Sequence, residues 1–116
     1  MNNKIDLRIL LSNSDRTPDE KLTLFVWLNL GIIESLTNGL LTATQAVRIF
    51  FNAENCLFVR QGIAERNADV IMSHGVQLAD PFDALPSEEA QLEFQRELAT
   101  MRALCLNILE EKRLAA

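Results

Sequence analysis

Apolar positions recur along this chain at three- and four-residue spacing, the period of one helix face, and they fall into long blocks separated by polar or glycine-containing breaks. Residues 17–39 form the most apolar block. Thr17 is placed to cap it, Pro18 sits where a first helical turn accepts proline, Asp19 and Glu20 put negative charge at the positive end of the dipole, and Gly39 marks the stop. Most of the apolar residues from Leu22 to Leu36 cover an arc of roughly 200°, wider than the stripe of a surface helix. Such a helix is either the centre of a domain or half of a subunit contact.

Thr42-Ala43-Thr44-Gln45 then reads as a capping box. It opens a helix with Ala43, Ala46, Val47, Phe50 and Phe51 on one face, joined to the first block by so short a connection that the two are expected to form a helical hairpin. Asn52 can cap a further turn or two through Arg60, although Cys56-Leu57-Phe58-Val59 would equally suit a short buried strand. Apolar spacing resumes from Ile63 to Ile71, reaches His74, and Gly75 supplies a stop. With Pro81, Pro86, Asp80 and Asp83, residues 75–87 read as a surface connection. Ser87 is placed to cap the last helix, 88–113, with Glu88 and Glu89 at its start and Lys112 and Arg113 at its end. Phe94, Leu98, Met101, Cys105 and Ile108 are spaced four, three, four, three, a heptad seam, and a weaker second face carries Leu92, Ala99, Ala103 and Leu106. At the other end, residues 1–16 hold a short helix or strand over Lys4–Leu11. Helix is favoured, because a lone strand in a helical protein lacks a partner; Ser12–Arg16 is a polar connector.

The expected fold is all-α: a compact bundle of about four to six helices in one domain spanning 1–116, with 18–38 buried at its centre and 88–113 packed along it. Composition agrees, since only four Gly and three Pro interrupt good helix formers. The block from Leu22 to Leu36 holds Thr23, Asn29 and Glu34 and is shorter than the roughly 20 apolar residues a spanning helix needs, so no membrane segment is expected. No secretory leader is legible. The formal charge of −5 gives no footprint for phosphate backbones, so no nucleic-acid partner is expected; Arg48, Arg60 and Arg66 would be the only route to one. Cys56 and Cys105 match no zinc or redox spacing and sit among apolar neighbours, which suits reduced thiols in the cytoplasm.

Chemistry-bearing patterns are scarce. His74 is the only histidine, and a metal site or general base would need partners that the sequence does not place beside it. No glycine-rich phosphate loop, nucleophile elbow or calcium loop is present, so no catalytic residue, metal or cofactor is assigned. Asn29 falls inside the apolar arc, where it would bond to backbone or pair across a dimer axis. Gly31, four residues from Trp27, suggests a close helix approach or a small pocket. Phe82 between Asp80 and Asp83 suggests a patch for a basic partner.

Two functions are expected from this. The first is a non-enzymatic interaction or regulatory module, homodimeric because two helices carry more apolar surface than one small layer covers, with Phe94, Leu98, Met101, Cys105 and Ile108 as the contact; the same seam would otherwise pack inside the monomer. The second is a ligand-binding protein or enzyme with a pocket near Trp27, Asn29 and His74.

Overall fold

The computed structural model describes residues 4–12 and 15–115; Asn13 and Ser14 of the predicted connector, and residues 1–3 and 116, lie outside them. The described residues form α1 (Leu7–Leu11), α2 (Pro18–Thr37), α3 (Ala43–Ile49), α4 (Ala53–Phe58), a π-helical turn (Val59–Ile63), α5 (Arg66–Val76), α6 (Asp80–Ala84) and α7 (Ser87–Ala115). No strand occurs among them.

Caps fix most boundaries. Thr17 accepts from the Glu20 amide at 3.1 Å while Glu20 accepts from the Thr17 amide at 3.3 Å, closing a capping box around Pro18. Thr42 and Gln45 do the same for α3, at 3.1 and 2.9 Å. Asn52 caps α4 and Asp6 caps α1. Leu7–Leu11 is therefore helical, and no strand forms in the segment. It is held to the rest of the chain by Asn55, which accepts from the Leu7 amide at 3.1 Å and donates to the Ile5 and Phe50 carbonyls at 2.8 Å each. Asn55 is buried, and it meets the condition for burying an amide by bonding at both ends.

Helix α2 lies at the centre, with α1, α3, the π-turn and α7 against it. Phe25, Val26, Asn29, Ile32, Ile33 and Leu36 are buried, an arc of about 120° at 100° per residue; Leu22 is half-covered within that arc, and Leu24, Leu28 and Leu30 are half-covered beside it. Helix α7 packs along both α2 and α5. Phe82 of α6 meets Phe94 of α7 edge to face, ring centroids 5.3 Å apart. One cluster of buried side chains joins all these elements except α6, whose Phe82 stays 45% exposed. Among the described residues no helix is long and apolar enough to cross a membrane.

Several local readings are corrected. Gly75 does not end its helix. It is buried in α5, and a Cβ there would overlap the Phe51 ring, so the glycine is an approach site for α3's end. The break before α5 falls at Ala64, held left-handed at φ 54°. Residues 75–87 are not an irregular connection: Leu78 is fully buried, and Pro81 occupies the first turn of α6, the one place a short helix accepts it. Ser87 is the first residue of α7, and Pro86 supplies the carbonyl that accepts from the Ala90 amide at 2.8 Å. Gly31 marks no close approach, since nothing lies within 4 Å of where its Cβ would be.

Candidate functional site

The heptad seam of α7 is spent inside the chain. Phe94, Leu98, Met101, Cys105 and Ile108 are between 0% and 6% exposed and belong to the same core as α2 and α5. As a contact between subunits it is corrected. Large apolar side chains at seven-residue spacing remove the most surface from water wherever a facing helix is nearest, and the nearest are this chain's own α2 and α5.

The second predicted site, Trp27 with Asn29 and His74, is also corrected, because the three do not converge. Two positions apart on one helix, Trp27 and Asn29 point about 200° apart. Trp27 is 58% exposed, over a shallow depression with Asp19, Glu20, Thr23 and Leu24. Asn29 is fully buried, donating to the Phe25 carbonyl at 2.9 Å while its Oδ1 accepts from no protein donor. Its burial within the chain removes it from any dimer axis. His74 faces α7, where Nδ1 lies 2.6 Å from Glu97 Oε2, a contact that pins α5 to α7. No spacing rule links a pair twenty-three residues apart.

What remains unpartnered is the outward face of α7. Glu89, Leu92, Arg96, Ala99, Ala103, Leu106, Glu110 and Arg113 repeat at the same alternation of three and four residues as the buried seam, on the opposite side, and all eight are exposed. Leu92 is 62% and Leu106 48% exposed, and Leu114 beyond them is 74% exposed. Ion pairs within the helix hold the guanidinium groups: Arg96 to Glu93 at 2.7 Å and Arg113 to Glu110. Beside the start of this face, between α6 and α7, runs an open trough of about 620 Å³. Leu85 and Leu92 supply its apolar wall, and Asp80 and Glu89 leave its rim negative.

A larger groove of about 700 Å³ lies where α3, α4, the π-turn and α5 meet. Phe51, Cys56, Met72 and Val76 line it, with Arg48 and Arg60 at its edge. The extra residue of the π-turn carries Arg60 toward α5, where Nε lies 3.4 Å from Asp69. Burial pushes the Cys56 thiol up, opposed by the Arg60 charge and assisted by Asp69, so it is a protonated thiol and a poor nucleophile at neutral pH. Burial alone pushes the Cys105 thiol up to about 12. Both cysteines are free. Among the described residues no three His, Cys, Asp or Glu side chains are gathered as a metal would require.

Comparison of the chain with protein-family models, with curated proteins and with solved structures returned no match.

Proposed function

We infer that the protein is a non-enzymatic interaction module that works as a homodimer. One observation carries this reading: the outward face of α7, with Leu92, Leu106 and Leu114 at 62%, 48% and 74% exposure on a helix whose other side is fully used. Exposed leucines set among alanines and charged residues along one helix face make an amphipathic surface of the kind that binds protein. Two-fold pairing is the simplest closed way to cover it. Two free thiols suit a reducing compartment, and a cytoplasmic location belongs to the same reading. Sedimentation velocity of the full chain over a wide concentration range tests it. Reversible conversion to twice the chain mass supports it, and a chain that stays strictly monomeric over that range overturns it.

A second reading, binding of a small amphipathic carboxylate, is favoured by the groove between α3 and α5 rather than by Trp27, Asn29 and His74. Its apolar lining would take a hydrocarbon and its Arg48 and Arg60 edge an anion. Saturable binding of a medium-chain carboxylate, lost in the Arg60→Glu variant, would support it; absence of binding would dismiss it.

A further inference from the structure

We propose that the partner of the α7 face is the same face of a second copy, running antiparallel, with Ala99 of one protomer set against Ala103 of the other. The proposal rests on the homodimer reading above and adds the surface, the direction and the register.

The spacing allows several antiparallel registers, and the one that opposes all eight positions sets Ala99 on Ala103. In an antiparallel pair of heptad seams, each position of one kind faces the other kind across the axis. Setting Ala99 on Ala103 places Arg96 against Leu106, Leu92 against Glu110 and Glu89 against Arg113, and the two-fold repeats each layer. All eight positions are exposed in the single chain, so nothing has to unfold to make the contact. The layers run from Glu89 to Arg113, twenty-four steps along α7 or about 36 Å of helix at 1.5 Å per residue. At the centre only alanines meet, which lets the axes approach to the lower end of ordinary helix packing distances. Toward the ends the leucines cover the aliphatic stems of Arg96 and Glu110.

Direction follows from charge. An in-register parallel pair would stack Glu89 on Glu89, Arg96 on Arg96, Glu110 on Glu110 and Arg113 on Arg113, like charges at four of the eight layers. The antiparallel pair instead sets Glu89 against Arg113 and brings Arg96 within one turn of the partner protomer's Glu110. It also carries the basic end of α7 to the trough between α6 and α7, whose rim bears Asp80 and Glu89 beside the exposed Leu85. Acidic start, small centre and basic end make the face its own complement in one direction only.

Disulfide trapping in the full chain tests this, in a Cys56→Ser background with the buried Cys105 retained. Mixed Leu92→Cys and Glu110→Cys chains are expected to form a disulfide-linked dimer under mild oxidation, and neither chain alone is expected to do so. Ala103→Glu is expected to abolish association at concentrations where the wild type is dimeric, with an unchanged far-ultraviolet helical signal. Reversing both charges, Arg96→Glu with Glu110→Arg, is expected to restore the association that either reversal alone weakens at least tenfold. A dimer that survives Ala103→Glu, or a Leu92→Cys chain that cross-links to itself, overturns the antiparallel α7 contact while leaving the homodimer reading standing. A wild type that is monomeric at every concentration overturns both.

Discussion

The two sides of α7 carry the same spacing and meet opposite fates. Phe94, Leu98, Met101, Cys105 and Ile108 are sealed against α2 and α5, while Leu92, Arg96, Ala99, Ala103, Leu106 and Glu110, at the same alternation of three and four, stand in solvent. Periodicity fixes which residues share a face. It does not decide which face goes inward. That choice is made by volume and charge: the inner seam is large and uncharged throughout, whereas the outer one interrupts its leucines with alanines and charges that would be costly to bury without partners. Two glycines repeat the contrast. Gly75 lies under the Phe51 ring, and Gly31 has nothing within 4 Å.

The inner side yields the largest expected effect. Leu98→Glu places an unpaired carboxylate among Phe94, Met101 and their neighbours, and leucine loss alone removes about 2–5 kcal/mol. The chain is expected to lose its cooperative thermal transition by circular dichroism. A folded Leu98→Glu protein of unchanged stability would mean that the seam is not core. Gly75→Ala comes next. The added methyl must displace Phe51, which is 1% exposed and held edge-on against Phe50 with centroids 4.9 Å apart, at an overpacking cost of about 1–3 kcal/mol in urea denaturation. A companion Phe51→Leu change is expected to recover part of the Gly75→Ala loss, since the smaller side chain frees the space the methyl needs.

Cys105 gives the inner side a pH signature. Its thiol is raised from 9.0 to about 12 in the fold, so the unfolded chain releases its proton first as pH rises. The stability linked to this group is therefore complete below pH 9 and is lost between about pH 9 and 12, at about 1.4 kcal/mol per pH unit within that window. Urea midpoints at pH 8 and pH 10 measure the loss, and Cys105→Ala is expected to flatten that part of the profile. Equal slopes in both proteins would show that other groups carry the alkaline instability.

Much of the architecture was legible because it was written locally. Thr17 and Glu20, Thr42 and Gln45, and Asn52 announce helix starts through atoms three residues apart, and the breadth of the Leu22–Leu36 block already required α2 to be either central or half of a subunit contact. The failures share a cause. Asn55 bonding Ile5 and Leu7, His74 meeting Glu97, and Gly75 receiving Phe51 are contacts between elements, and no spacing rule reports them. Pro81 misled for a different reason. Proline breaks a helix interior but is accepted in a first turn, so a segment with two prolines read as loop although α6 carries the first of them in its opening turn. The exposed α7 face was visible only as a weaker stripe, because alanines and charged residues score poorly as a seam until the stronger seam is known to be occupied.

The outer side yields the smaller effects, and their signs complete the contrast. Gly31→Ala adds a methyl into open space on an exposed helix interior and is expected to stabilise by about 0.5–1 kcal/mol, the mirror of the Gly75→Ala loss. A loss instead would reveal a close neighbour at Gly31.

Leu106→Gln is expected to change least, and its value lies in where the change appears. Gln keeps helix propensity close to that of Leu, and the side chain it replaces is 48% exposed. In dilute protein, where only monomer is present, the urea midpoint should correspond to a shift within about 0.5 kcal/mol of wild type. Pairing through α7 adds a concentration-dependent term, because a second copy that binds only the folded chain stabilises it by mass action. The wild-type midpoint should therefore climb with protein concentration while that of Leu106→Gln stays flatter. If the variant loses stability in dilute solution, Leu106 belongs to the monomer's own packing and the two sides of α7 are less distinct than their exposures imply. If both proteins climb in parallel, the second copy meets this chain somewhere other than α7.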